Sequence, residues 1–346
     1  MPEILVDRDG ALGRIRLNRP KAINALNTDM VRSISAALAA FAGESEIAAV
    51  LVTGEGERGL CAGGDIRALY DHRATGPAFG LEFFREEYRM NAQIAAFPKP
   101  YIAIMDGITM GGGVGLSAHG SVRIVTERTR LAMPETGIGF FPDIGASWLL
   151  SHSPGELGTY LAITGQTING ADSILAGLAD HFVASEKLPS LLAALAQLPR
   201  TAGAKEILSA VRSASGQAEA PLSAHLEEIS QLFRFHDVKE IVAALERADT
   251  DFTRRTLQIM AQKSPTGMQV ALRLLRLARL SQSLEECLQR EYSACAQLLT
   301  GTEFYEGVRA AVVDKDRHPK WHPASLAEVT PALIAPYFIP SETRLF

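Results

Sequence analysis

A chain of 346 residues with 47% hydrophobic and 21% charged side chains is long enough to bury a substantial core and has the balance of a soluble globular protein. A formal net charge of −5 with no dense Lys/Arg block argues against a nucleic-acid or anionic-membrane surface, so an anionic small substrate would have to be met by local groups. Three cysteines, Cys61, Cys287 and Cys295, are too few and too scattered for a disulfide framework or a Cys-rich metal site, and MPEILVDRDG shows no signal, transit or transmembrane pattern, so a reducing, cytoplasmic setting is expected.

Ile4-Leu5-Val6 and Ile15-Arg16-Leu17 read as strands joined by a turn at Asp9-Gly10. Thr28 can cap a helix in which Met30, Val31, Ile34, Leu38 and Phe41 recur at helical spacing, and Gly43 ends it. Ala49 to Thr53 predicts a buried strand, followed by the loop GEGERG and the glycine-rich strand end Leu60-Cys61-Ala62-Gly63-Gly64-Asp65. Pro77 to Phe97 predicts a helix, with Phe83, Phe84, Tyr88 and Ile94 on its apolar face and Glu86-Glu87 on or beside it. Tyr101 to Met105 is a strand, then come a glycine-rich turn, a short helix over Val114 to His119, and strands at Val122 to Thr126 and Arg130 to Met133. Strands alternating with helices argue an α/β arrangement with parallel pairing.

From Gly145 the pattern turns helical, around Trp148, over Tyr160 to Ile163 and over Ala171 to Leu178, with one strand at Phe182-Val183. Leu188 to Arg309 reads almost wholly as amphipathic helix, including Ile241 to Leu245 and Leu272 to Leu280. The arginines of that last run, Arg273, Arg276 and Arg279, read as the solvated face of a packed helix rather than as a basic binding surface. Ser213 to Pro221 and the tail after Pro331 are the segments expected to be least ordered.

The chemistry concentrates between Ile104 and Gly145. Gly111, Gly112, Gly113 and Gly115 follow a strand, and such a cluster can aim several peptide N–H groups at one oxygen; the Gly63-Gly64 end is a second candidate. Glu135 and Asp143 stand among Met133, Phe140 and Phe141, where an unpaired charge is costly. Backbone donors combined with carboxylates suit acyl-group chemistry. Each feature has a plainer alternative: tight turns or helix–strand contacts for the glycines, helix capping or an ion pair with Arg123 or Arg130 for Glu135, an N-cap on the Trp148 helix for Asp143, and a solvated helix face for Glu87. His119 and His181 read as core residues, with no metal-ligand spacing.

The segments CAGGDIR, YIAIMDGITMGGGVGLS, MPETGIGFFPDIGASWLL, GLADHFV, KSPTGM and EGVRAAVVDKDRHPKW resemble the enoyl-CoA hydratase/isomerase (crotonase) superfamily, and more narrowly its 3-hydroxyisobutyryl-CoA hydrolase branch. The resemblance spans nearly the whole chain and is weakest between Leu192 and Val242. It implies an α/β, crotonase-like spiral of ββα units over residues 1–190, holding the acyl-CoA site, with a helical C-terminal extension over 191–346 packed on it. It implies an oxyanion hole from the backbone N–H groups of Gly64 and Gly112, with Glu135 and Asp143 catalytic and Glu87 contacting substrate. Adenine would rest on backbone at Leu60 to Ala62, with Arg67, Lys99 and Lys263 as candidates for the phosphates.

Hydratases of this superfamily carry a second glutamate two residues after the glycine triplet, where Gly115 stands here. The pair of carboxylates that syn hydration uses is therefore broken, whereas one glutamate with an oxyanion hole can still cleave a thioester. The resemblance thus implies hydrolysis of a short β-hydroxyacyl-CoA, 3-hydroxyisobutyryl-CoA in valine breakdown, with Glu135 as nucleophile or general base. Enoyl-CoA hydration or isomerisation is the alternative, and a non-catalytic CoA-binding scaffold a remote one. No cofactor or metal is implied, coenzyme A being part of the substrate, and a homo-oligomer is left open.

Overall fold

A computed structural model describes residues 2–346. The chain forms two compact units, one built from residues up to Gly64, Arg89–Ala132 and Ile168–Ser223, the other from Asp65–Tyr88, Met133–Thr167 and Ala224–Phe346.

In the first unit β1 (Ile4–Asp9) pairs antiparallel with β2 (Leu12–Leu17), with Ile4 opposite Leu17. Helix α1 (Thr28–Gly43) is capped by the Asn27 side chain, which accepts from the Met30 N–H, one residue before the expected cap; Thr28 is the first helical residue. Strand β3 (Ala49–Gly54) is an apolar, β-branched run buried on both faces, as a central parallel strand requires. It is followed by β4 (Gly59–Cys61), α2 (Ile66–Asp71), α3 (Ala78–Ala95), β5 (Tyr101–Met105), β6 (Ile108–Met110), α4 (Gly112–Ala118), β7 (Val122–Val125) and β8 (Arg130–Ala132). Helix α3 straddles the two units, the division falling between Tyr88 and Arg89.

Three successive strand pairs, β3/β4, β5/β6 and β7/β8, each give one strand to a larger sheet and one to a smaller. The larger has the order β1-β2-β3-β5-β7 and ends on β9 (His181–Phe182); the smaller is β4-β6-β8, and all pairings beyond the first hairpin are parallel. This is the ββα spiral expected above. Ile108–Met110 is a strand where the sequence suggested only a turn, and α4 begins at Gly112, two residues before the predicted start.

Strand periodicity fixes which face is covered. Leu12, Ala49, Leu51, Ile102, Ile104, Val122 and Ile124 share one face and are packed by Leu188, Leu191 and Leu195 of one later helix and Ile207 and Val211 of the next. On the other face Gly13 lies flush against Phe41 of α1: a Cβ there would come within 2.7 Å of the ring.

The helices that follow β8 are α5 (Ala146–Ser151), α6 (Leu157–Thr164), α7 (Gly170–Leu175), α8 (Leu188–Ala196), α9 (Ala204–Ala214), α10 (Leu226–Leu232), α11 (Val238–Ala248), α12 (Asp251–Met260), α13 (Pro265–Ala278), α14 (Leu284–Leu298), α15 (Glu303–Val308) and α16 (Pro331–Ile334). Within the second unit α13 is buried along most of its length and packs against α5 and α6. Its arginines are not simply a solvated face: Arg276 and Arg279 both reach the Glu156 carboxylate, at 2.9 and 2.8 Å, and Arg276 also donates to the carbonyls of Phe233 and Phe235.

The tail, expected to be poorly ordered, is tied down. The Gln289 side chain of α14 donates to Thr343 O at 3.1 Å and accepts from Leu345 N at 2.8 Å, while Ser293 Oγ accepts from Ser341 N at 3.0 Å. Leu345 is buried.

Candidate active site

The donor edge belongs to the first unit. Gly111 has φ 50° and ψ −121°, a conformation open essentially to glycine alone, and it turns the chain from β6 into α4. Gly113 lets the start of α4 lie against the end of β4, since a Cβ there would sit 2.4 Å from the Cys61 carbonyl oxygen. A Cβ on Gly63 would lie 3.7 Å from the Gly112 nitrogen, so the two glycine segments adjoin. The outer side of β4 is pinned by Ala62 N–H donating to Ile23 O at 2.9 Å and Leu26 N–H donating to Gly63 O at 2.8 Å. Among the described residues the peptide N–H groups of Gly64 and Gly112 have no protein acceptor. Leu60 is buried within β4, and Ala62 is exposed just beyond it.

The acids belong to the second unit. Glu87, Glu135 and Asp143 are 2%, 7% and 5% exposed, which excludes the solvated-face reading of Glu87. Aromatic rings wall them: Phe84 stacks on Phe140 at 5.4 Å, and Phe140 on Phe141 at 4.6 Å. Burial pushes Glu87 and Glu135 well above the usual carboxylate range, and the Asp143 charge adds to both rises. Asp143 is raised to about 8, by burial first, while the Tyr88 hydroxyl opposes the rise and Glu291 reinforces it. Glu87 Oε1 and Glu135 Oε2 are buried with no hydrogen-bond partner among the described residues.

Tyr88, next to Glu87 on α3, donates to Asp143 Oδ2 at 2.7 Å. With its single hydrogen committed there, the phenol oxygen accepts from the Cys295 thiol, 2.9 Å away. Asp143 does not cap α5 with its side chain. The residue at that helix start is Gly145, and its N–H and that of Ser147 donate to the two oxygens of Glu291, at 2.7 and 3.0 Å. Nor does Glu135 pair with Arg123, which holds Asp180.

Sequence reasoning passed over Tyr88, Glu291 and Cys295. The signal for Glu291 lay in α14, where Leu284, Cys287, Leu288, Tyr292, Cys295 and Leu298 form one apolar stripe with a single acid in its middle.

The basic candidates separate. Lys263 is drawn to the acids: a Cβ on Gly137 would lie 3.5 Å from its Nζ, and the next residue, Ser264, donates its N–H to Thr136 O at 2.8 Å. Burial lowers the Lys263 pKa, and the Glu135 charge opposes that fall. Lys263 lines a pocket of about 250 Å³ with Gln262 and Arg317, and another of about 380 Å³ with Met268 and Trp321. Arg67 is exposed on α2 and paired with Asp71 at 3.0 Å. Lys99 is not available to a phosphate, because its ammonium is spent on the Phe41 and Glu44 carbonyls at the end of α1. Among the described residues no group of three or more His, Cys, Asp or Glu side chains is arranged to hold a metal ion, and no helix is long and apolar enough to cross a membrane.

Comparison with known proteins places this arrangement. Two solved structures superpose over almost the whole chain: one titled a carnitinyl-CoA dehydratase from Mycobacterium thermoresistibile, with 41% identity, a TM-score of 0.94 and coverage of 100% of this chain and 99% of that one; the other titled an enoyl-CoA hydratase from Rhodobacter sphaeroides, with 39%, 0.90 and 98% of each. Curated relatives named 3-hydroxyisobutyryl-CoA hydrolase, mitochondrial, include the Xenopus tropicalis protein, 43% identical over 97% of this chain and 88% of its own, and the human one, 39% identical over 95% and 86%. Those names overturn the cytoplasmic placement expected above, which rested on seeing no targeting segment, an absence that fixes no compartment. Residues 12–338 match the family described as Enoyl-CoA hydratase/isomerase. With glycine-built peptide donors, a trio of buried acids and relatives of this closeness, the chain belongs to the enoyl-CoA hydratase/isomerase family, in its 3-hydroxyisobutyryl-CoA hydrolase branch.

Proposed function

We propose that this enzyme hydrolyses the thioester of a short β-hydroxyacyl-CoA, 3-hydroxyisobutyryl-CoA, to the free hydroxy acid and coenzyme A, a step of valine breakdown. The observation that carries the reading is a buried glutamate, Glu135, with an unpartnered oxygen, in a chain that has glycine at position 115. Addition of water across a double bond needs two carboxylates working as base and acid, and position 115 supplies no acid. Thioester cleavage needs one activated carbonyl and one base or nucleophile, because thiolate is a good leaving group.

In the direct route Glu135 removes a proton from water as the water oxygen bonds to the acyl carbon. The resulting oxyanion collapses, the C–S bond breaks, and the proton passes to the departing thiolate. In the covalent route a Glu135 oxygen bonds to that carbon, thiolate leaves, and water opens the anhydride. Both routes require Glu135 ionised, and both place charge on the acyl oxygen that the Gly64 and Gly112 N–H groups are proposed to stabilise; one such donor is worth roughly 2.7–4 kcal/mol in characterised enzymes. Asp143 is assigned to orient Glu135, water or the 3-hydroxyl, and Glu87 to contact substrate. Leu60 and Ala62 are proposed to support the adenine through their backbone, and Arg67 and Lys263 to meet anionic parts of the CoA ester.

Thiol release from 3-hydroxyisobutyryl-CoA tests the reading. Glu135→Gln is expected to lower kcat by about 10²–10⁴-fold with KM changed far less; undiminished turnover would remove Glu135 from the reaction. In single turnover in ¹⁸O-water, label in Glu135 marks the covalent route, with water attacking the glutamyl carbon and the bond from that carbon to the bridging oxygen breaking. Hydration or dehydration, the activities for which the two superposed structures are named, is the alternative that the curated relatives do not favour. Loss of crotonyl-CoA absorbance without thiol release would select it, and CoA binding without either activity would select a scaffold. The reaction as written uses no separate cofactor, so dialysis against a chelator is expected to leave the rate unchanged. Self-association into a homo-oligomer belongs to the same proposal and is measured by light scattering.

A further inference from the structure

We propose that Glu291 is a positioning residue: it fixes Asp143 by holding the backbone turn that follows it. This rests on the hydrolase reading for its consequence, but its geometry stands alone. Directly after Asp143, Ile144 has φ 61° and Gly145 φ 79°, two consecutive left-handed residues. A β-branched side chain in that region is strained and persists only where its surroundings over-determine it.

Besides the backbone bond from Ala146 N–H to Asp143 O, 2.8 Å, a carboxylate holds this turn. Glu291 is fully buried on α14, and its two oxygens accept from Gly145 N–H, from Ser147 N–H and from the Ser147 hydroxyl. From the other side Tyr88 donates to Asp143 itself, and Cys295, one turn beyond Glu291 on α14, backs the Tyr88 oxygen. The turn after Asp143 is thus held by one residue and the Asp143 side chain by another.

Glutamate is required for this, and glutamine is not a substitute. An amide offers one accepting oxygen and turns its NH₂ toward a remaining N–H, so donor would meet donor in a buried site. The groups facing Asp143 are Glu87 and Tyr88 from α3, Glu291 and Cys295 from α14, and Glu135 on its own segment; Arg290 and Cys287 flank Glu291. Removing the Glu291 charge therefore removes one negative neighbour of Asp143 as well as the clamp.

The experiment compares full-length wild type, Glu291→Gln and Ser147→Ala on 3-hydroxyisobutyryl-CoA across pH. Glu291→Gln is expected to lose about ten- to a hundredfold in kcat with KM within a few-fold, as for a small displacement of a reacting group. Its Asp143 ionisation midpoint, read by NMR of ¹³C-carboxyl aspartate and assigned with Asp143→Asn, is expected to fall by about half a pH unit or more. Ser147→Ala, which withdraws one donor and keeps the charge, is expected to lose about threefold in kcat. Wild-type kcat with an unmoved midpoint in Glu291→Gln overturns the inference; if that variant does not fold, Ser147→Ala indistinguishable from wild type overturns it. A wild-type protein that releases no thiol counts against the hydrolase reading alone, and the Asp143 midpoint then decides this one.

Discussion

At the scale of single residues, the acids set a conflict between stability and chemistry. Asp143 has an ordinary value of 3.8 and is raised to about 8 in the fold, mainly by burial. A carboxyl raised on folding contributes stability that is complete below the lower value and is lost as pH climbs toward the higher one, by up to about 1.4 kcal/mol per pH unit. Asp143→Asn, whose amide oxygen can still accept from Tyr88, is therefore expected to match wild type in Tm near pH 4 and to exceed it by a growing margin toward pH 8, while losing activity. Melting curves across that range decide it; equal Tm at pH 8 would mean that the carboxylate is solvated. Glu135 is raised in the same direction. Because its ionised form is the reactive one, kcat/KM is expected to rise from acidic toward neutral pH with a limb displaced above the usual carboxylate range.

At the scale of elements, the first turn of α4 has little freedom to change. A methyl on Gly113 would meet the Cys61 carbonyl oxygen at 2.4 Å, with backbone on both sides of the clash. Gly113→Ala is expected to push α4 away from β4, costing about 1–3 kcal/mol of stability and displacing the neighbouring Gly112 N–H. Denaturant melts and kcat, measured together, check this: a stable protein with unchanged kcat would show that α4 shifts without consequence. This is also where the sequence was most readable. β3 and β5 were legible as continuous apolar runs, and the glycines as points of close backbone approach, because strand burial and such approach leave marks on residue type. β6 was not, since Ile-Thr-Met between two glycines takes its strand character from β4 and β8, both remote in sequence. A cap was only the plainer alternative for the Asp143 side chain, which is instead bound by Tyr88, from a helix more than fifty positions earlier. Such partners are set by tertiary placement and leave no local trace.

At the scale of the whole molecule, the two compact units alternate along the sequence, each built from three stretches of chain; Glu87 reaches its unit from one stretch, Glu135 and Asp143 from a second. Reading in order could therefore name the acids but not Tyr88, which bonds Asp143, or Glu291, which bonds the turn after it. The strap after Pro331 follows the same logic. Ser341, Thr343 and Leu345 bond to Ser293 and Gln289, on the turns either side of Glu291. Deleting 340–346 is expected to lower both Tm and kcat, the latter about tenfold or less, through a loosened α14. Full activity with lowered Tm would confine the strap to stability.

That strap gives the last few residues an influence out of proportion to their distance in sequence from the acids. Phe346 is more than half exposed while Leu345 beside it is buried, so a protease acting on this strap is expected to meet resistance where the main chain is bonded. Thioester turnover is then expected to report a cut in the strap, because the strap is bonded to the helix that carries Glu291.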